Sequence, residues 1–140
     1  MPSISSRAIT PHEGEAARLL GRKVANRNED AVMLARAYDA TVVLKGPETL
    51  IATPVGELRA VAEGGPELAK AGAGDVLGGM IAAFLAQGLD AFDAATLAVF
   101  VHGRAGRLAA RELSVHAVMP EDIICKIGPV LLGLEAEGVS

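Results

Sequence analysis

Apolar and polar positions along the chain alternate in three registers, and each register predicts a different element. After a polar lead-in over residues 1–6, Arg7-Ala8-Ile9-Thr10 is a short run compatible with the end of a strand. Thr10-Pro11-His12-Glu13 then turns the chain into a helix, with Thr10 as N-cap, Pro11 at the first helical position and Glu13 completing a capping box. Ala16, Leu19 and Leu20 form its inner face and Gly21 its terminator. A second helix is expected from about Asn28 to Tyr38, with Ala31, Leu34, Ala35 and Tyr38 at helical spacing and Asp39-Ala40 at its end. The pattern changes at Thr41-Val42-Val43-Leu44-Lys45, where consecutive β-branched and apolar residues mark a strand covered on both faces. Thr49–Thr53 and Glu57–Val61, set off by turns at Gly46-Pro47 and Pro54-Val55-Gly56, read as an antiparallel meander at the edge of a sheet. Beyond a loop at Glu63–Glu67 the chain is helical. One helix from Val76 to Gln87 is apolar enough to be buried all round, and a longer one runs from Ala91 to about Glu112. An amphipathic tail follows from Pro120 to about Glu137, which Pro129 is expected to kink or split.

This order gives an α/β protein in one domain spanning residues 1–140, with no internal repeat, low-complexity tract or linker. Three or four short strands are few for so much apolar helix, so the chain reads as part of a larger layered domain. Composition supports that picture: hydrophobic residues make up 51 %, mean hydropathy is +0.36, and aromatics are only 3 %. Small residues therefore set the packing. A net charge of −4 lacks the electrostatic footprint of a nucleic-acid binder. The opening residues carry no apolar signal segment, and no apolar run reaches membrane-span length, so a cytoplasmic protein is expected. Cys125, the only cysteine, lies in an apolar run and is expected to be a small core residue.

The chemistry is concentrated at Lys70-Ala71-Gly72-Ala73-Gly74-Asp75-Val76-Leu77-Gly78-Gly79-Met80. Glycines at 72 and 74 leave the backbone free to curl and present its N–H groups at a helix N-terminus, a ready site for a phosphate or a developing anion. The stretch lacks the Gly-Lys-Ser/Thr ending of a P-loop and the Gly-x-Gly-x-x-Gly of a dinucleotide fingerprint. Asp75 would repel a phosphate. It is either a helix cap or a base acting beside a phosphoryl group. Lys45-Gly46-Pro47-Glu48-Thr49 is an ordinary hairpin or a ligand-facing strand end, and periodicity does not choose. His12 suits a capping position, His102 a satisfied core position and His116 a loop, while Gly103 and Gly106 permit close helix packing.

In combination these elements resemble a known family. Thr10-Pro11-His12-x-Gly14-Glu15, Val43-Leu44-Lys45-Gly46-x-x-Thr49-x-Ile51, Lys70-Ala71-Gly72-x-Gly74-Asp75-Val76-Leu77-x-Gly79-Met80-Ile81 and His102-Gly103-x-Ala105-Gly106 are similar to the carbohydrate-kinase-like domain of the NAD(P)H-hydrate dehydratases, in the ribokinase-like superfamily. The resemblance extends from about residue 7 to the C-terminus and departs from the usual pattern at Glu13, where proline is common, and at Gly65, where asparagine is. It implies the C-terminal half of a three-layer α/β/α fold, few strands plus a buried helical bundle, from a domain about twice this length. It also implies nucleotide-dependent dehydration of hydrated NADH or NADPH, by phosphorylation of the hydrate hydroxyl and elimination of phosphate. Carried over by residue, His12 contacts the hydrate and Asp75 binds it and orients or deprotonates its hydroxyl. Lys45, Gly46, Pro47, Glu48, Thr49 and Gly74 line the site for ADP or ATP, with magnesium inferred from the nucleotide. The amides at Gly72, Ala73 and Gly74 form the anion hole. Two alternatives stand beside this reading: a vitamin-precursor or sugar kinase of the same superfamily, and a silent nucleotide-binding or assembly module. Association of copies into a homo-oligomer is expected, to cover apolar surface.

Overall fold

Period-two alternation distributes the strand residues between two cores. In the computed structural model, which describes residues 7–63 and 72–137, Val42, Leu44, Leu50 and Ala52 pack on one face of a four-stranded sheet while Val43 and Ile51 pack on the other. The strands are β1 (Ala8–Ile9), β2 (Thr41–Leu44), β3 (Thr49–Ala52) and β4 (Leu58–Val61), in spatial order β1-β2-β3-β4. β1 runs parallel to β2, with Ala8 opposite Thr41; β2–β3 and β3–β4 are antiparallel, with Val43 opposite Ile51 and Leu50 opposite Ala60. All four residues of β2 are buried, as a strand covered on both faces requires.

Helices α1 (Glu13–Leu20) and α2 (Arg27–Tyr38) form the crossover between the parallel strands and cover the first face through Ala16, Ala31, Leu34 and Ala35. α3 (Ala73–Ala86), α4 (Ala91–Leu113) and α5 (Pro120–Ala136) cover the second. α4 lies on β2, β3 and β4, and α3 and α5 pack against α4. The result is the three-layer α/β/α arrangement, with the meander at one edge of the sheet.

Several elements differ from the sequence expectation. α1 starts at Glu13 with His12 as N-cap, rather than capping at Thr10, and its capping box joins His12 to Glu15, not Thr10 to Glu13. The chain stays extended two residues longer because it is still pairing with β2: Lys45 N–H donates to the Pro11 carbonyl at 2.9 Å and His12 bridges Lys45 in parallel register. Leu19, expected on the inner face, is exposed. Gly21 and Asp39 end α1 and α2 where expected, both in left-handed backbone.

α3 starts three residues before its apolar run. It is not buried all round: Leu77, Met80, Ile81 and Phe84 face inward, whereas Gly79, Ala82, Ala83 and Ala86 are exposed. Such small side chains add little apolar area to the surface. α5 continues through Pro129, which sits on its exposed side, and is not split. Cys125 is exposed, because the 3.6-residue period turns Ile123, Val130 and Leu134 inward and carries Cys125 away from them. Gly103 does allow a close approach, but to the chain leaving β4 rather than to a helix. A Cβ there would lie 2.6 Å from the Cβ of Glu63 and 2.7 Å from its carbonyl carbon.

Candidate functional site

The carboxyl ends of β1 and β2 bring His12 and Lys45 to one edge of the sheet, where open α/β sheets place their ligands. Local chemistry fixes His12 there. Its Nδ1 accepts the Glu15 backbone N–H at 3.1 Å, and its own N–H donates to Glu15 Oε1 at 3.1 Å. With Nδ1 accepting, the ring proton belongs on Nε2, which lies 3.2 Å from Glu15 Oε1. The His12 backbone N–H holds the Glu15 carboxyl below its ordinary range; burial opposes this, while His12, Lys45 and Arg18 add attraction.

Lys45 directly follows β2 and reaches toward the start of α3. Its Nζ lies 3.1 Å from the position a Cβ would take on Gly74, so the missing side chain leaves a cradle beside the ammonium. Gly72 is the N-cap of α3 at φ 90° and ψ −19°, a conformation glycine adopts without steric cost, and it offers no side-chain cap. The amides of Ala73, Gly74 and Asp75 therefore open α3 without intrahelical partners, at the positive end of the helix dipole. Asp75 lies in the first turn and is exposed; the capping position belongs to Gly72, which removes the cap reading of Asp75. Among the described residues no hydrogen bond joins His12 to Asp75. Lys70 and Ala71, the opening of the motif, lie outside the described residues.

The turn Gly46-Pro47-Glu48 is exposed beside Lys45. Thr49 Oγ1 donates to the Gly46 carbonyl at 3.4 Å. A residue absent from the sequence reading holds this hairpin: Arg27, at the start of α2, donates to the Leu44 and Glu48 carbonyls at 3.3 and 2.9 Å and pairs with Glu13 at 3.2 Å. Its guanidinium occupies the space above Gly46, where a Cβ would meet it at 2.9 Å. A lone arginine opening a helix carries no local signal for that contact.

His102 lies on α4 with 5 % of its surface exposed, near both Lys45 and the backbone at Ala73. Burial pushes its pKa down to about 4; the Ala73 backbone works upward and the Lys45 charge downward. Its Nε2 is buried without a hydrogen-bond partner, so the expected satisfied core histidine is only partly satisfied. A neutral imidazole thus sits behind the first turn of α3. His116 lies in the turn between α4 and α5.

These pieces form an open cradle: amides without intrahelical partners, a lysine and a small-residue floor, with the exposed Asp75 carboxylate one residue further along. Beside it, at the outer edge of β1, a cavity of about 370 Å³ is lined by Ile9, Thr10, Pro11, Glu15, Arg18 and Leu19. Among the described residues no group of three histidine, cysteine or acidic side chains can hold a metal, and no helix is long and apolar enough to cross a membrane.

An α/β/α sheet with a Gly-x-Gly-Asp helix start at its carboxyl edge defines a ribokinase-like protein. Solved structures agree: an ADP/ATP-dependent NAD(P)H-hydrate dehydratase of Bacillus subtilis, co-crystallised with ATP and magnesium, superposes with a TM-score of 0.82 at 34 % identity, covering 89 % of this chain and 46 % of that one. A ribokinase-like superfamily protein of Enterococcus faecalis superposes with a TM-score of 0.69 at 31 % identity, covering 86 % of this chain and 42 % of that one. A family model described as NAD(P)H-hydrate dehydratase matches residues 3–129, and the chain belongs to that family. It is 44 % identical over 133 residues to a bifunctional NAD(P)H-hydrate repair enzyme of Moorella thermoacetica, covering 92 % of this chain and 25 % of the relative. It is 48 % identical over 101 residues to an ADP-dependent (S)-NAD(P)H-hydrate dehydratase of Neisseria meningitidis, covering 69 % of this chain and 34 % of the relative. The chain thus spans a quarter to a third of these two curated relatives and just under half of the Bacillus structure.

Proposed function

We propose that this chain supplies the nucleotide side and the catalytic carboxylate of an ADP- or ATP-dependent NAD(P)H-hydrate dehydratase. The observation that carries the reading is the Lys45 ammonium lying against Gly74 at the first turn of α3, whose N-cap offers no side-chain hydrogen bond. A nucleotide phosphate chain fits there: the amides of Ala73 and Gly74 donate, Lys45 neutralises charge, and the absent Cβ of Gly74 leaves room. Gly46, Pro47, Glu48 and Thr49 form the hairpin against which the nucleoside rests, held in place by Arg27.

The nucleotide supplies the phosphoryl group that turns the hydroxyl of hydrated NADH or NADPH into a leaving group. Asp75 accepts the proton of that hydroxyl, and its exposed carboxylate is suited to meeting a substrate from solvent. The amides at Gly72–Gly74 hold the charge that develops on the transferring group, where fixed dipoles need no reorganisation. His12, bridged to Lys45 at the end of the extension of β1, contacts the hydrate. Magnesium would be carried by the nucleotide phosphates, whose charge it would neutralise.

The test is recovery of NADH absorbance from hydrated NADH with ADP and magnesium. Wild type is expected to turn over, and Asp75→Ala to lose at least a hundredfold in rate while still binding ADP by calorimetry. Equal rates in the two proteins refute the assignment. A second reading, nucleotide binding without turnover, is favoured by the open cavity at the β1 edge, lined by Ile9, Thr10, Pro11, Glu15, Arg18 and Leu19. ADP binding with no NADH recovery in either protein selects it.

A further inference from the structure

A second cluster of basic side chains lies on the opposite face of α4 from His102. Arg104, Arg107, Leu108 and Arg111 recur three and four residues apart, which places them on one side of the helix, roughly 180° from His102 at about 100° per residue. With Pro129, Val130 and Gly133 of α5 and Glu63 from the end of β4, they line a groove of about 350 Å³, at the lower end of the range for small-molecule sites.

The charges there are arranged against their own repulsion. Arg104 Nε and Arg107 Nη1 converge on one carboxylate, Glu63, at 3.8 and 3.4 Å. Arg104 meets Oε1 beyond hydrogen-bond distance, and Oε2, the oxygen facing Arg107, is buried with no hydrogen-bond partner. Arg104 is braced from behind by the Phe100 ring, 4.5 Å from its guanidinium carbon. Arg111 makes no hydrogen bond or ion pair among the described residues. Three guanidiniums therefore face one lining carboxylate, Glu63, with a second, Glu137, at the mouth, in a chain whose net charge is −4. Arg104 and Arg107 share the one Glu63 carboxylate and leave N–H donors over, Arg111 has no partner among the described residues, and guanidinium forks match phosphate oxygens. The floor, Leu108, Pro129 and Val130, offers an apolar surface to an organic group attached to the anion.

We propose that this groove binds a diphosphate group, free or as a small organic ester, at a site separate from the Lys45–Gly74 cradle. Arg107 and Arg111 grip the two phosphates and Glu63 keeps Arg104 and Arg107 converged.

Calorimetric titration with inorganic pyrophosphate at low ionic strength is the test, with uridine diphosphate in a parallel arm. Saturable binding is expected, weakened at least tenfold by Arg107→Gln and by Arg111→Gln, and unchanged by the remote Arg36→Gln. It is also expected to survive Lys45→Gln, which alters only the cradle on which the dehydratase reading rests. Tighter binding of uridine diphosphate assigns an ester ligand, and tighter binding of pyrophosphate the free anion. Absence of saturable binding overturns the proposal, as does binding lost in Lys45→Gln but retained in both groove variants. Arg111→Gln keeps the test decisive if Arg107→Gln disturbs the Glu63 contact, because Arg111 has no partner among the described residues to lose.

Discussion

His102 couples the cradle to pH, and the size of the coupling follows from its surroundings. A buried imidazole with its pKa pushed from 6.5 down to about 4 resists a proton that the unfolded chain accepts readily. The unfolded state then binds more protons between those values, so stability falls as pH drops from 6.5 to 4 and is indifferent to this group above 7. Linkage puts the loss at about 2 kcal/mol at pH 5 relative to pH 7.5, and about 3 kcal/mol by pH 4. His102→Leu removes the titrating group together with its unpartnered Nε2. Urea melts at pH 7.5 and 5.0 provide the assay, with 2 kcal/mol displacing the midpoint by about 1 M for a domain of this size. The comparison stops at pH 5, and the wild type and the variant share any titration of carboxylates down to that point. Wild type is expected to lose about 1 M in midpoint more than His102→Leu across that interval. Lys45→Met is expected to shrink the difference, since Lys45 adds to the downward pressure on His102. Identical pH dependence in wild type and His102→Leu would refute the burial argument.

Three further outcomes follow from the same contacts. Gly74→Ala puts a methyl 3.1 Å from Lys45 Nζ and is expected to weaken ADP binding about tenfold with the melting temperature preserved, as read by calorimetry and thermal denaturation. Gly103→Ala drives a methyl to within 2.7 Å of the Glu63 backbone and is expected to cost about 1–3 kcal/mol in urea denaturation. Asp30 bonds Arg22 at 2.7 and 3.1 Å and accepts the Ala25 N–H at 2.9 Å, and these contacts, Arg22 first, lower its pKa from 3.8 to about 2. Its contribution is complete above pH 4 and is lost as pH falls toward 2, so acid titration of Asp30→Asn should show a flatter stability profile over that window.

The parts legible in the chain were those set by neighbouring residues. The β-branched and apolar run Thr41–Leu44 announced a strand buried on both faces, Gly21 and Asp39 ended their helices where expected, and Gly72–Gly74 ahead of an apolar run marked the open helix start. Local pattern misplaced the start of α1, because the pairing of Lys45 with Pro11 and His12, more than thirty residues away, keeps the chain extended past Thr10. The same limit hid Arg27 over the hairpin and Glu63 against Gly103; the core position of His102 was legible, but its place beside Ala73 and Lys45 was not. Periodicity states which face of an element is apolar; what covers that face depends on segments distant in the chain. Glycine and aspartate at 74 and 75 could thus be recognised as a possible anion site by spacing alone. The sheet and α4 decide that a lysine ammonium lies in front of that helix start and a neutral histidine behind it, because only packing brings residues 45, 74 and 102 within reach of one another.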